Sequence, residues 1–288
     1  QNFAAINMPN TNSHTMLHPE STIGGRYILH ERLGSGGMGT VYRATDRLTC
    51  ETVALKQVAI PFDQFGPSGP PTSYLEKSDG FRLALVQEFK VLASLRHPHI
   101  ITVLDYGFDA NRQPYFTMQL LENAPNIIQA GQGQPPERHV ELLVQMLQAL
   151  AYLHRRGIIH RDLKPDNVLV VNSQVKVLDF GVAIAREQLT ESDGTILGTP
   201  AYIAPEILEG RAANEISDLY AAGMMAYEMF AGQHPFDTTD IGGLLMNVVN
   251  TKPNVDALPI DPPLKRVIET SLAKVPGERF ASANAFIS

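Results

Sequence analysis

The stretch LGSGGMGTVYRATD, residues 33–46, places four glycines within six positions and then turns at once to the β-branched and aromatic run TVY. Glycines spaced as in Gly34-x-Gly36-x-x-Gly39 let a backbone approach a phosphate group closely. In a dinucleotide-binding fold the same spacing opens a helix, whereas the run that follows here favours a strand. The stretch therefore predicts a strand, a glycine turn and a second strand. An ordinary glycine-rich hairpin is the alternative.

The composition of the 288-residue chain is typical of a globular protein, with 44% hydrophobic and 18% charged residues in one large or two small domains. A formal net charge of −7 does not favour a nucleic-acid partner. No apolar run approaches the roughly 20 residues of a membrane span, and the single cysteine, Cys50, suits a reducing compartment. We therefore expect a cytoplasmic location and no membrane span within this chain, with any membrane attachment made through regions outside it.

Two polar stretches predict segments outside the packed core. Residues 1–25 lack apolar periodicity and predict a flexible tail, of which residues 1–7 are expected to be an expression remnant because a methionine follows them. Residues 61–80 are rich in proline, glycine and serine and predict a mobile insertion. Strands give way to helices along the chain, so we predict a strand-rich lobe with a hinge over residues 26–121. A helix-rich lobe follows over residues 122–288 and is cut short within its last helix.

A lysine and a glutamate occupy unusual places in the strand-rich part. The segment ETVALKQVAI alternates as a strand does, which puts Ala54, Lys56 and Val58 on one face. Glu88 lies on the apolar stripe of the next predicted helix, residues 81–98. A buried carboxylate needs a cationic partner or it takes up a proton, so we predict that Lys56 pairs with Glu88. The alternative is an edge-strand lysine whose stem packs while its head reaches water.

Two long apolar helices are predicted in the second part of the chain. The segment HVELLVQMLQALAYLHRRG ends at Gly157, and SDLYAAGMMAYEMFAG ends at Gly232. The methionines of the second helix are expected to fill the core. The buried face of the first is predicted to contain Val140, Leu143, Val144, Leu147, Leu150 and Ala151.

Oxygen ligands lie between these two helices. Asp162 and Asn167 are five residues apart in a loop that also holds Lys164, and Asp179 follows a predicted strand. Carboxylate and amide oxygens are hard ligands, the kind that Mg²⁺ takes when it stays bound to substrate phosphates. Phosphoryl transfer needs phosphates held, metal ions bound, charge offset and the attacking oxygen positioned. The glycine turn, Lys56, two oxygen ligands and a further aspartate supply these parts.

Eight motifs follow one another in the order of a known family: GSGGMGTV, VALK, Glu88 nine residues before His97, HRDLKPDN, DFG, GTPAYIAPE, SDLYAAG and GERF. Together they are very specific. The chain resembles a serine/threonine protein kinase and is similar to the bacterial members of the eukaryotic-like family, from about Gly25 to its end. The resemblance implies an α+β fold of two lobes. A small antiparallel β-rich N-lobe has one main helix, a larger C-lobe is mostly helical, and ATP lies in the cleft.

The resemblance also implies roles for the catalytic side chains. Lys56 would contact the α- and β-phosphates while it pairs with Glu88. Asp162 would accept or steer the proton of the substrate hydroxyl, and Lys164 would offset charge at the transferring phosphoryl group. The metal ligands, for Mg²⁺ or for Mn²⁺ in its place, would be Asn167 and Asp179.

Nucleotide-binding residues are implied in the same way. Met118 would be the gatekeeper at the back of the pocket, and the backbone from Gln119 to Leu121 would hydrogen-bond the adenine edge. The phosphates would be covered by Gly34, Gly36 and Gly39. The adenine would lie between Leu33, Val41, Ala54 and Leu169.

Three further features follow from the resemblance. Glu206 and Arg279 would form a structural ion pair. Thr199 would hydrogen-bond the two catalytic side chains, and the lysine two residues after Asp162 also matches the serine/threonine class. Tyr220 stands where the family usually has tryptophan, an exchange that we expect the packing to tolerate.

Control by phosphorylation is a further expectation. Arg161 directly precedes Asp162, as in kinases that are switched on by phosphorylation of the loop before Glu206. A buried arginine there needs an anion, and a phosphate brings about −1.5 to −2 charge. We expect trans-autophosphorylation by a second copy of the chain; a polar loop whose hydroxyls have no function is the alternative. The candidate acceptors are Thr190, Ser192 and Thr195.

The sequence thus predicts an active ATP- and magnesium-dependent serine/threonine kinase that transfers the γ-phosphate to hydroxyls of protein substrates. A pseudokinase, which is a binding module that keeps the fold, is one alternative. It would be expected to lack the lysine, the aspartate or the asparagine, and none of these is missing. A small-molecule kinase is the other alternative, and it would lack GTPAYIAPE, which forms the peptide-facing shelf.

Overall fold

The structure is a computed structural model. It describes residues 22–36, 39–58, 86–87, 89–179 and 200–288. The predicted insertion and five predicted site residues lie outside the described residues: residues 61–80, Glu88, Thr190, Ser192, Thr195 and Thr199.

Six strands form one antiparallel sheet in the order β1-β2-β3-β4-β6-β5. The glycine stretch is the predicted hairpin, because Gly36 pairs with Gly39 at its end. The sheet begins earlier than predicted. Ile23 is buried against β2, so the last residues of the expected tail belong to the fold. The strands are β1 (Thr22–Ile23), β2 (Tyr27–Gly36), β3 (Gly39–Asp46), β4 (Thr52–Val58), β5 (Val103–Phe108) and β6 (Pro114–Gln119).

The two faces of this sheet bury different clusters, as the alternation in β4 predicts. Leu55 packs on one face with Tyr27 and Tyr115. Ala54 belongs to the other cluster, which also contains Phe89 from the helical residues 89–94. The face of Ala54 is therefore turned toward the rest of the molecule.

Seven helices and a β-hairpin make up the remainder of the described chain. The helices are α1 (Ile127–Gly131), α2 (Pro136–His154), α3 (Pro205–Leu208), α4 (Glu215–Ala231), α5 (Ile241–Asn250), α6 (Pro262–Ser271) and α7 (Ala283–Ile287). The hairpin strands are β7 (Val168–Val171) and β8 (Gln174–Val177). Short 3₁₀ turns cover Pro165–Asn167, Pro200–Tyr202, Val255–Ala257 and Pro276–Glu278.

Helix α4 is the buried centre of this part. Asn214 caps its first turn with a capping box, and Gly232 ends it in the left-handed region at φ 73°. Met224 and Met225 are fully buried, as predicted for core filling. Gly223 has a packing reason, since a Cβ there would lie 2.2 Å from Oγ of Ser271 in α6.

Helix α2 differs in one respect from the prediction. Val140 is 37% exposed, although it was expected on the buried face. Leu142 and Met146, on other sides of the helix, are fully buried. The helix contacts α4, α7 and β8, so it is covered on several sides and one stripe does not describe its burial.

Candidate active site

The register of the sheet brings the predicted nucleotide-binding residues onto one face. Ala54 lies opposite Met118, and Val41 lies opposite Lys56. Residues directly opposite in an antiparallel pair share a face. Ala54 and Met118 are each 5% exposed, so Lys56 shares this face with buried apolar side chains.

The remaining predicted nucleotide contacts lie around this face. Leu33 is 44% exposed at a register shift of β2, just before the glycines. Gln119 is exposed at the end of β6, and Leu121 is half-buried in the segment that follows. Leu169 of β7 pairs with Asn126 at the start of α1, which ties β7 to the segment that connects the sheet to the helices.

Lys56 is buried and forms an ion pair with Asp179. Its Nζ donates to Oδ2 of Asp179 at 2.6 Å, and the lysine is 4% exposed. Asp179 has a positive φ of 55°, an uncommon conformation that orients its side chain toward the sheet. Its other oxygen, Oδ1, is buried and has no hydrogen-bond partner within the described part of the chain. The predicted partner, Glu88, lies outside the described residues, so the pairing of Lys56 with Glu88 stays a prediction.

Asp162, Lys164 and Asn167 come together in the loop between α2 and β7. Nζ of Lys164 lies 3.2 Å from Oδ2 of Asp162. Nδ2 of Asn167 donates to the same carboxylate oxygen at 3.1 Å and to the backbone oxygen of Asp162 at 2.7 Å. These contacts fix the Asp162 side chain, and they leave Oδ1 of Asn167 as the amide atom able to bind a cation.

Asp218, at the start of α4, accepts hydrogen bonds from the backbone of this loop. One of its oxygens accepts from the backbone N–H of His160 at 2.8 Å and lies 2.9 Å from Nε2 of His154. The other accepts from the N–H of Arg161 at 3.0 Å. No role was predicted for Asp218 from the sequence. The available signal was a carboxylate in the first turn of a largely apolar helix, which requires donors when it is buried.

His160 links two parts of this site through the two nitrogens of its imidazole ring. Its Nε2 lies 2.8 Å from the carbonyl of Leu178, and its Nδ1 accepts from the N–H of Asp162 at 3.3 Å. Burial lowers the pKa of His160, although Asp218 and Asp162 oppose the shift. A neutral imidazole that donates from one nitrogen and accepts at the other fits both contacts.

Arg161 is exposed, although it was predicted to be buried, and its backbone has a positive φ of 66°. An exposed arginine does not require an anion to offset a buried charge, so this reason for phosphorylation control is wrong.

The ion pair predicted between Glu206 and Arg279 is present. Nη1 and Nη2 of Arg279 donate to the two carboxylate oxygens at 2.9 and 2.7 Å, and both residues are buried. Oγ of Ser217 donates to the same carboxylate at 2.8 Å. Although burial alone raises the pKa of Glu206, the Arg279 guanidinium holds it below its usual value.

Comparison with family models aligns residues 27–287 with the protein kinase domain. The chain belongs to the protein kinase family. The antiparallel sheet and the helical part are the two lobes of this kinase fold, as the sequence predicted.

Curated relatives of this kinase domain are bacterial serine/threonine-protein kinases, which confirms the predicted family. The serine/threonine-protein kinase PknA of Mycobacterium tuberculosis is 34% identical over 275 residues, covering 92% of this chain and 60% of the relative. A probable serine/threonine-protein kinase of Streptomyces coelicolor is 33% identical over 275 residues, covering 91% and 39%. The DNA damage-responsive kinase RqkA of Deinococcus radiodurans is 38% identical over 229 residues, covering 76% and 32%. The chain thus spans 32% to 60% of the length of these relatives.

Protein kinases use ATP and a divalent metal ion, and this kinase domain has atoms that fit a shared cation. In the described ranges, no three His, Cys, Asp or Glu side chains gather as an all-protein metal site. Mg²⁺ in phosphate sites needs only one or two carboxylates beside the phosphates and water. Oδ1 of Asp179, which has no hydrogen-bond partner among the described residues, and the amide oxygen of Asn167 match that requirement.

No helix in the part of the kinase domain that the structure describes is both long and apolar enough to cross a lipid bilayer.

Proposed function

We propose that the chain is an active ATP- and magnesium-dependent serine/threonine protein kinase domain that transfers the γ-phosphate of ATP to hydroxyls of proteins. The contact of Asp162 with Lys164 and Asn167 supports this proposal most directly. A carboxylate, an ammonium group and an amide are held together beside the Lys56–Asp179 pair. This is the set of groups that phosphoryl transfer needs.

The chain's own residues divide the work. Lys56 leaves the carboxylate of Asp179 to bind the α- and β-phosphates, and the backbone of the glycine hairpin covers them. Asp162 orients the substrate hydroxyl and accepts its proton, while Lys164 offsets negative charge on the transferring group. Asn167 and Asp179 would hold the metal ion, which would supply charge neutralisation for the transferring phosphate.

The adenine site belongs to the cleft face of the sheet. Met118 closes the back of this site. The adenine lies between Leu33, Val41, Ala54 and Leu169. The backbone from Gln119 to Leu121 hydrogen-bonds the adenine edge. We place the division of the lobes after residue 121, with the N-lobe and hinge over 26–121 and the C-lobe over 122–288.

The substrate and location are part of the same proposal. The partners are protein substrates and a second copy of the chain in trans-autophosphorylation, and no nucleic acid is involved. A single exposed cysteine and the absence of a disulfide in the sequence suit work in the reducing cytoplasm.

The experiment that tests the activity is phosphate transfer from γ-labelled ATP to generic protein substrates, followed by phosphoamino-acid analysis. We expect magnesium-dependent label on serine and threonine, and its loss in Asp162→Asn. ATP binding without transfer indicates a pseudokinase and contradicts the proposal. Label on small molecules alone indicates a small-molecule kinase and also contradicts it.

Control by autophosphorylation at Thr190, Ser192 or Thr195 is tested separately. Mass spectrometry of the chain incubated with ATP is compared with that of Asp162→Asn, and the triple alanine variant is assayed. We expect phosphate on at least one of the three residues and a lower rate in the triple variant. An unphosphorylated loop together with an unchanged rate rejects this part of the proposal.

A further inference from the structure

Arg43 of β3 joins two carboxylates that come from separate parts of the chain. Its Nε donates to Oε1 of Glu31 in β2 at 2.5 Å. Its Nη1 donates to Oε1 of Glu122, 79 residues away in sequence, at 2.5 Å. Glu122 lies in the segment that leaves β6, one residue before Asn123, whose φ is 50°. One guanidinium thus links the strand that enters the glycine hairpin to the segment between the lobes.

The register places Arg43 at the edge of the proposed adenine site. Arg43 lies opposite Ala54, and Ala54 lies opposite Met118, so these three residues form one row across β3, β4 and β6. All three share the cleft face of the sheet. Glu31 is two residues before Leu33, and Glu122 directly follows Leu121. Both carboxylates therefore flank segments that line the proposed site.

The charges of this cluster favour the ion pairs. Hydrogen bonds to Glu122 and Glu31 raise the pKa of Arg43. The pKa of Glu31 is lowered by a hydrogen bond from the backbone amide of Glu31 and by the Arg43 guanidinium. The carboxylate side chains are 58% and 59% exposed, and exposed pairs contribute little to stability. The main effect of these ion pairs is therefore to orient the two carboxylates rather than to stabilise the fold, because the planar arginine guanidinium fixes the direction of both partners.

We propose that Arg43 is a positioning residue for the nucleotide, holding Glu122 and Glu31 so that the segment between the lobes and the glycine strand keep a fixed separation around the adenine. The inference rests on the proposed adenine site. Arg43 takes no part in phosphate transfer itself. Its loss weakens nucleotide binding and leaves the chemical step unchanged.

The test compares Arg43→Gln, Glu122→Gln and the double variant with wild type. We expect the ATP KM, and the Kd of ADP in direct titration, to rise about two- to fivefold in each single variant, which is the range of an exposed ion pair. The kcat is expected to stay unchanged. The double variant is expected to match Arg43→Gln, because the link to Glu122 is already lost once the guanidinium is removed. Arg43→Lys is expected to recover the binding only in part, since an ammonium group lacks the fork.

Arg47→Gln is the matched control, since the Arg47 guanidinium contacts a backbone carbonyl, that of Gly25 at 3.3 Å. It is expected to leave KM unchanged. A difference in melting temperature without a change in KM or Kd shows a merely structural role and overturns the inference, as does an equal effect in the control. A wild-type chain that binds nucleotide while the Arg43 variants bind it equally well rejects this inference alone. A wild-type chain that binds no nucleotide rejects the proposed function as well.

Discussion

The two carboxylate oxygens of Asp179 lie in different environments. Oδ2 is bonded to Lys56, while Oδ1 is buried without a partner among the described residues. A buried carboxylate oxygen without a donor is costly, and a bound cation would offset that cost.

The first prediction concerns this oxygen. Asp179→Asn keeps the volume of the side chain and an acceptor for Lys56 but removes the charge that a divalent cation needs. We expect turnover to fall at least a hundredfold with the fold intact. We also expect the magnesium-dependent part of the ATP-induced shift in melting temperature to disappear. A variant that keeps both would show that Asp179 is not the metal ligand. An alanine is less suitable here, because it also removes the oxygen that accepts from the buried Lys56.

The second prediction concerns Tyr220. This ring is fully buried beside the Arg279 guanidinium, 4.8 Å from ring centre to Cζ, and its hydroxyl has no hydrogen-bond partner in the described chain. Tyr220→Phe removes a buried unsatisfied group. We expect the free energy of unfolding to stay equal or rise by up to about 1 kcal/mol, as measured by denaturant titration. A loss of stability would mean that the hydroxyl is bonded in solution.

At the scale of elements, the loop of Asp162 depends on α4. Three donors converge on Asp218, and two of them are backbone N–H groups of the loop. The catalytic geometry is therefore fixed by the helix core rather than by the loop sequence alone.

The third prediction follows from that support. Asp218→Asn replaces one accepting oxygen with an N–H₂ group, so one set of loop donors loses its acceptor. We expect kcat to fall more than tenfold while the KM for ATP changes little. The free energy of unfolding should drop by about 1–3 kcal/mol. Asp256→Asn, in an exposed 3₁₀ turn, is the control. An Asp218 variant with wild-type kcat would contradict the positioning role.

Local chemistry made several elements predictable from sequence. The glycine spacing followed by TVY predicted the hairpin of β2 and β3, and Gly232 marked the end of α4 because a left-handed residue stops a helix. The residues of the candidate site were predicted from the order of the motifs. That order identifies the residues of the site, but it does not show which side chains contact each other. Lys56 contacts Asp179 across 123 residues, and Arg43 contacts Glu122 across 79. Such pairings depend on how the lobes fold together, and no local pattern encodes them.

At the scale of the whole molecule, Glu206 and Arg279 link distant parts of the C-lobe. They lie 73 residues apart, and the arginine side chain is completely buried. Arg279 also donates to the carbonyls of Ala273 and Lys274. The pair therefore joins the start of α3 to the turns that follow α6.

The fourth prediction is an acid dependence of stability. The folded-state pKa of Glu206 is lowered, so its contribution is complete above the unfolded value of about 4.3 and is lost as the pH falls through the lower folded value. Glu206→Gln leaves a buried arginine unpaired and should cost about 3–5 kcal/mol at pH 7. We expect the difference from wild type, measured by denaturant unfolding, to shrink below about pH 4.

Glu209→Gln is the control for this prediction. Glu209 pairs with Arg211 at 3.1 Å, but both side chains are well exposed, at 45% and 65%. We expect a change within about 0.5 kcal/mol at either pH. An equal loss in both variants would show that Glu206 is no more than a surface charge.

Under the proposed function, in which Lys56 binds the nucleotide phosphates, the carboxylate of Asp179 competes with those phosphates for Lys56. A phosphate oxygen that approaches Lys56 competes with the Asp179 carboxylate. Because this carboxylate belongs to the same chain, its effective concentration does not fall on dilution. The apparent dissociation constant of the nucleotide is then the intrinsic constant divided by the fraction of chains in which the pair is open. Under the proposed function, nucleotide affinity in this protein is tied to the strength of the Lys56–Asp179 ion pair, and a weaker pair gives tighter binding at the same set of nucleotide contacts.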